Sequence, residues 1–308
     1  MWPLEIACDE SGSEGEKLVG GNTAVFAHAA VLLGAEAAAE CVRETRARIR
    51  SPATEYKANH LLRGKHRAVL VWLLAPSGPI YGRARVFLAD KAYFAVRKIA
   101  DLIAGDVAYT GAGGDRALAA DLYREGPVSL GPERFTAFLE SFNDVMRRRA
   151  PAERFFLTVE ELAGAGGRVG EIMRLLDRSR QPLEDFLERP GEMPALDPLI
   201  PAIMRAVVHW GRDRRPVSIL HDEHNGLTEE RVAHLKRVVD LAGLRLADSF
   251  HEPRVQVADF LAGVARRIAE DELGGHGDPE LVALLRPYVD PASVWGDERS
   301  WALLRPAG

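Results

Sequence analysis

Strand-like runs stand at the two ends of this chain and are nearly missing from its middle, and that uneven placement limits the possible fold most. Leu4-Glu5-Ile6-Ala7-Cys8-Asp9 alternates, with Leu4, Ile6 and Cys8 on one face and Glu5, Ala7 and Asp9 on the other. Glu10-Ser11-Gly12-Ser13-Glu14-Gly15 is turn chemistry, and a second apolar run at 23–33 completes an expected antiparallel hairpin. Residues 80–89 read as another strand. Far down the chain, 216–222 is apolar nearly throughout, as in a strand covered on both faces, and 244–249 follows Gly243 as a further one.

Helical periods fill the gaps. They cover 35–49, with an arginine-rich outer side, then 60–74 and 92–104. Thr228 is an expected N-cap ahead of 231–241, with Glu229 and Glu230 in the first turn, and Pro253 opens a helix over 255–270. Between 110 and 215 the periods of 116–123, 132–149 and 172–187 dominate, with 154–159 as one expected strand. The tail after Gly274 reads as loop-rich and acidic. The expected class is α/β: a mixed sheet flanked by helices, built from 1–110 and 216–308, with a mostly helical insertion at 111–215.

Composition removes several alternatives. A chain of 308 residues that is 47% hydrophobic can bury a core, which excludes a disordered tail. Cys8 and Cys41 are too few for a disulfide scaffold or a cysteine-rich zinc site, so a reducing compartment fits. The opening Met1-Trp2-Pro3-Leu4-Glu5 lacks the basic and apolar regions of an export signal. The uncharged stretch 18–35 contains Asn22, Thr23 and His28, and falls short of the roughly 20 apolar residues of a bilayer span. The expectation is a cytoplasmic protein without a membrane segment.

The net charge of −5 is unevenly spread. Residues 41–100 hold thirteen Lys and Arg against Glu44, Glu55 and Asp90. Such a local positive field favours polyanion partners, nucleic acid first, even on an acidic chain. The plainer alternative is a set of solvated helix faces.

Three acids are candidates for chemistry. Asp9 and Asp222 each end a buried-looking strand, where functional groups of open α/β sheets collect. They meet if their strands are adjacent and parallel; otherwise each simply starts a turn. Asp259 lies in Val255-Gln256-Val257-Ala258-Asp259-Phe260-Leu261-Ala262-Gly263, where its helical neighbours are mostly small or apolar. A carboxylate there is costly unless something positive or hydrogen-bonding meets it. Gln256 shares its face, and Gly263 lets a backbone or ligand come close. Helix capping or a salt bridge is the structural alternative.

Asp9-Glu10-Ser11-Gly12 after a first strand, with Gln256-Val257-Ala258-Asp259 on a late helix, resembles the bacterial family called domain of unknown function 3800. That family is similar to the ribonuclease H-like, retroviral-integrase-like nuclease fold. The match in element order covers about 1–105 and 216–270 and leaves the helical middle unaccounted for. The resemblance implies acidic residues holding two divalent cations, Mg²⁺ or Mn²⁺. Its first aspartate falls on Asp9 and its late-helix aspartate on Asp259. Its Glu-x-Lys element falls on Glu55-Tyr56-Lys57, and its mid-chain strand aspartate on Asp222.

Carboxylates suit those ions, and packed acids repel when no metal is bound, raising at least one carboxyl pKa. Around them, Glu10 and Gln256 suit water-orienting roles, with Ser11 beside them, while Lys57 and Lys91 offset charge or contact phosphate. The expected activity is a metal-dependent phosphodiesterase acting on DNA or RNA by a two-metal-ion mechanism. The alternatives are an inactive nucleic-acid-binding or partner-docking module of the same fold and hydrolysis of a small phosphorylated metabolite. The insertion would shape substrate access or bind a protein partner.

Other motifs carry less. His221 and His224 are three residues apart after a strand, which is not the zinc-protease spacing of four on a helix. His224 and His251 are candidates for proton relay. The glycine-rich 164–170 lacks the G-x-G-x-x-G spacing and reads as a loop, and Gly-Lys-Ser/Thr is absent. Ser11 and Ser13 have no ordered histidine partner in sequence, which speaks against serine hydrolysis. Cys8 reads as core.

Overall fold

A computed structural model describes residues 2–50, 58–105, 115–188, 196–212 and 215–306. The chain opens with β1 (Leu4–Ser11) and β2 (Val25–Val31), then α1 (Ala35–Ile49), the short α2 (Ala58–Leu61), α3 (Arg67–Leu74), β3 (Ala84–Asp90) and α4 (Lys91–Ile103). A run of helices follows: α5 (Arg116–Leu130), α6 (Pro132–Met146), α7 (Ala152–Leu162), α8 (Gly167–Asp177), α9 (Arg180–Glu188) and α10 (Leu199–Trp210). Strands then resume with β4 (Val217–Asp222), α11 (Glu229–Val238), β5 (Leu241–Ala247) and α12 (Pro253–Leu273), ahead of α13 (Pro279–Leu285) and α14 (Glu298–Leu304).

The five strands form one mixed sheet in the order β3-β2-β1-β4-β5. β2 is antiparallel to both β1 and β3, while β4 runs parallel to β1 and β5 parallel to β4. The fold is therefore α/β with helices on both faces of the sheet. Strand alternation divides the core in two. Ile6, Cys8, Phe26 and Phe87 face the helical middle of the chain and join Phe138, Phe142, Phe155 and Ile203 in one apolar cluster. Ala7, Ala27, Ala29 and Leu220 face the other way, against α1 and α12. α12 lies across β1 and β2 and is buried almost continuously from Val255 to Ala265.

Three local expectations are corrected. Residues 154–159 are helical within α7, because Phe155, Phe156, Val159 and Leu162 are buried at helical spacing. Phe155 packs on Phe138 and Phe142, so tertiary contact overrides the strand-like aromatic composition. The helix expected over 60–74 is broken by a 3₁₀ turn at Gly64–His66. The tail is more ordered than its composition indicates: besides two helices, it covers the β3 edge. Asp290 N–H donates to the Val86 carbonyl at 2.7 Å and Val294 N–H to that of Leu88 at 2.9 Å, which closes an edge otherwise open to pairing. Thr228 caps α11 as expected, accepting the Arg231 N–H.

Among the described residues, no helix is long and apolar enough to cross a membrane.

Candidate active site

The β1–β4 ladder pairs Cys8 with His221, and the next residue on each strand is an aspartate. Asp9 and Asp222 thus end neighbouring parallel strands on one face, the face that α12 covers with Asp259. Asp9 is 5% exposed. Its pKa is pushed up to about 9, first by burial and then by the charges of Glu10, Asp259 and Asp222; only the Glu10 N–H, 2.7 Å from Oδ1, acts against this. Asp222 Oδ1 accepts the Ser249 N–H at 3.1 Å, which ties the end of β4 to the segment after β5. Asp259 Oδ2 accepts the N–H of Ala58, the first residue of α2, at 3.2 Å. Helix capping thus accounts for part of what holds this acid on an apolar helix.

The other motif residues have local structural reasons. Gly12 has φ +80°, and a Cβ there would lie 2.4 Å from the Val25 carbonyl oxygen, so the turn after β1 requires glycine. Ser11 Oγ accepts from Arg266 Nε at 3.0 Å, and Arg266 also pairs with Glu270. Gln256 is buried one turn before Asp259. A Cβ on Gly263 would stand 2.1 Å from the Ala58 Cβ, so what approaches this glycine is α2. Lys91 is 2% exposed and donates to Thr23 Oγ1 at 2.7 Å and Glu14 Oε1 at 3.3 Å, so its ammonium is engaged below the surface. Glu55 and Lys57 lie outside the described residues.

Alternation turns Glu10 to the opposite face, into a histidine network that the sequence did not reveal. His221 Nδ1 lies 3.0 Å from the Asp222 carbonyl oxygen, which can only accept, so Nδ1 carries the proton and Nε2 the lone pair. The hydrogen shared with His28 Nε2, 3.3 Å away, therefore belongs to His28. Burial holds His221 down at about 4 and His28 well below the usual histidine range, so both are neutral. His224 Nδ1 accepts the Gly226 N–H, which leaves Nε2–H facing Ser13 Oγ at 3.3 Å and Glu10 Oε1 at 3.5 Å. Glu10 Oε2 is buried without a partner, 3.8 Å from His221 Nε2. Burial and the Asp222 charge raise the Glu10 carboxyl to about 8. His251 is exposed and faces Asp248 rather than the acids.

The donor set of Asp9, Asp222 and Asp259 matches a hard divalent cation in chemistry, since it consists of carboxylates that repel one another. Among the described residues, however, no group of three or more His, Cys, Asp or Glu side chains is placed to hold a metal ion. Glu55, the further acid that the resemblance implies, falls outside them.

The described residues of the basic 41–100 segment include ones on α1, α3, β3 and α4, and several are paired with acids. Arg43 pairs with Glu40, Arg48 with Glu44, Arg67 with Asp278 and Glu280, and Lys98 with Asp101. Compared with known proteins, the chain matches no family model, no curated protein and no solved structure.

Proposed function

We propose that this protein is a metal-dependent phosphodiesterase acting on nucleic acid, on a ribonuclease H-like core, as its resemblance to the domain of unknown function 3800 family implies. The observation that carries this reading is Asp9, a buried acid on the sheet face under α12 that keeps its proton first because of burial and then because of the charges of Glu10, Asp259 and Asp222. A sheet of three antiparallel strands continued by two parallel ones, with the acids at one end, supports it further.

In this reading Asp9, Asp259, Asp222 and Glu55 would hold the two ions. Bound Mg²⁺ or Mn²⁺ would supply water activation and stabilise the leaving oxygen of a phosphodiester. The chain holds Asp222 through Ser249 and Asp259 through Ala58, and Gln256 is buried on α12 one turn before Asp259. A reducing, cytoplasmic setting belongs to the same proposal, since both cysteines are free and buried.

The test is cleavage of labelled DNA and RNA, single- and double-stranded, with Mg²⁺ or Mn²⁺. Asp9→Asn is expected to abolish cleavage while far-UV circular dichroism stays unchanged; cleavage at the wild-type rate by that variant would refute the assignment. A second reading, an inactive binding module of the same fold, is favoured by the Ala58 cap, which gives Asp259 a structural task. Calorimetric titration with Mn²⁺ separates the two: heat lost in both Asp9→Asn and Asp259→Asn supports the enzyme, and no wild-type binding at millimolar metal supports the module.

A further inference from the structure

Away from Asp9, on the sheet face that carries Glu10 and Cys8, the guanidinium groups of Arg85, Arg205 and Arg212 lie close enough to feel one another, with one of them bonded to a carboxylate. Arg85 projects from β3, Arg205 from α10, and Arg212 follows the end of α10. Asp290 belongs to the tail segment that covers β3 and is 2% exposed. Arg205 neutralises it, with Nε and Nη2 at 3.3 and 3.2 Å from Asp290 Oδ1. Among the described residues, that pair accounts for one positive charge and leaves those of Arg85 and Arg212.

Arg85 has a weak hold on the protein. Its Nη1 reaches the Pro287 carbonyl at 3.3 Å, while its Nε is sealed from solvent with no acceptor. The neighbouring Trp210 Nε1 is also buried without an acceptor, its ring edge to face with that of His209 at 4.9 Å. A buried N–H without an acceptor is costly, so the Arg85 Nε–H points to a missing acceptor. Burial first, and then the charges of Arg85 and Arg212, hold His209 neutral, with its pKa lowered to about 4. Beneath Arg85 and Arg205 a crevice between α10 and β2–β3 is walled by Ala30, Phe87 and Ala202. Its volume, about 10 Å³, admits roughly one water, so a larger ligand would rest at its mouth.

We propose that Arg85, Arg205 and Arg212, on the face away from Asp9, form a binding site for a phosphate group. A surplus of two guanidinium charges matches a phosphate better than a single carboxylate, and guanidinium forks offer paired donors to its oxygens. The ligand is either a terminal phosphate or a backbone phosphate of nucleic acid; both present the same anionic oxygens. The site does not depend on the acids around Asp9, and it is tested without metal.

The experiment is calorimetric titration of inorganic phosphate into the full chain in metal-free, low-salt buffer. Wild-type protein is expected to bind at millimolar phosphate or below, and Arg85→Gln/Arg212→Gln to bind at least about tenfold more weakly. Arg212→Gln alone, at an exposed position that cannot unfold the core, is expected to lose about threefold or more. No wild-type heat up to about 10 mM phosphate, a range that would still detect a millimolar site, or unchanged binding by both variants, overturns the proposal. Competition then distinguishes the sources. Displacement only by a 5′-phosphorylated oligonucleotide assigns a terminal phosphate, and equal displacement by its hydroxyl-ended counterpart assigns the backbone.

Discussion

Asp9 and Asp222 stand side by side one step beyond the Cys8–His221 pair, at the same end of two parallel strands. No cation in the described structure is hydrogen-bonded to either carboxylate, and the charge of Asp222 helps to raise the Asp9 pKa to about 9. The folded chain therefore binds this proton more tightly than the unfolded chain does. The stability it contributes is present at low pH and falls as pH rises from about 4, the unfolded value, towards 9. Asp9→Asn removes the need to take up that proton on folding, so in metal-free buffer near pH 8 it is expected to raise the melting temperature by about 2–5 °C. A lower melting temperature would mean that the carboxylate is stabilised by its surroundings.

Divalent cations should relieve the same repulsion. At saturating Mn²⁺, about 100 times its dissociation constant, the wild-type chain is expected to gain about 2.7 kcal/mol. Asp9→Asn and Asp222→Asn should lose most of that gain. Thermal melts with and without chelator measure it, and an equal gain in all three proteins would place the ion elsewhere.

On the opposite face, His28 and His221 are buried and neutral. Their folded pKa values lie below the unfolded value, so the unfolded chain takes up protons first as the solution is acidified. Stability is then lost as pH falls from about 6.5 towards the His221 value of about 4. His28→Asn should be less stable near neutrality by about 1–3 kcal/mol, because the His221 lone pair loses its donor. It should also show a shallower acid slope, and urea unfolding across that window measures both effects.

Much of the architecture is legible in local patterns, and much of the site is not. The helical period of α1 announces itself because that helix exposes one face, whereas β1 is read from the alternation of Leu4 to Asp9 although both its faces are covered. The histidine network does not, since His28 and His221 each look like a single polar interruption of an apolar strand. Only the register of β2 and β4 on either side of β1 brings them together. Likewise, nothing near Asp259 in sequence announces that its partner is the Ala58 amide, 201 positions away. The tail covers β3 through main-chain bonds that composition does not report.

Gly263 offers a direct check on how closely α12 and α2 pack. With the new Cβ only 2.1 Å from that of Ala58, Gly263→Ala must push the helices apart. The expected cost is about 1–3 kcal/mol, read from urea unfolding. Ala58→Gly in the same chain removes the opposing methyl and should restore part of the loss. Absence of any loss in Gly263→Ala would show that α2 yields freely, and with it the Asp259 cap.

Asn143 joins the helical middle of the chain to the loop that follows the Asp-Glu-Ser-Gly turn. From α6, its Oδ1 accepts the N–H groups of Leu18 at 3.0 Å and Val19 at 3.2 Å, and its Nδ2 donates to the Glu16 carbonyl at 2.7 Å. The side chain is 2% exposed, so truncation removes three bonds that water cannot readily replace. Asn143→Ala is expected to cost about 2–4 kcal/mol, since it leaves several main-chain groups unpaired at once. Hydrogen exchange gives the sharper readout: the Leu18 and Val19 amides should lose protection well beyond the global change. If they stay protected while the chain as a whole is weakened, the loop is held by the burial of Leu18 in the core rather than by this asparagine.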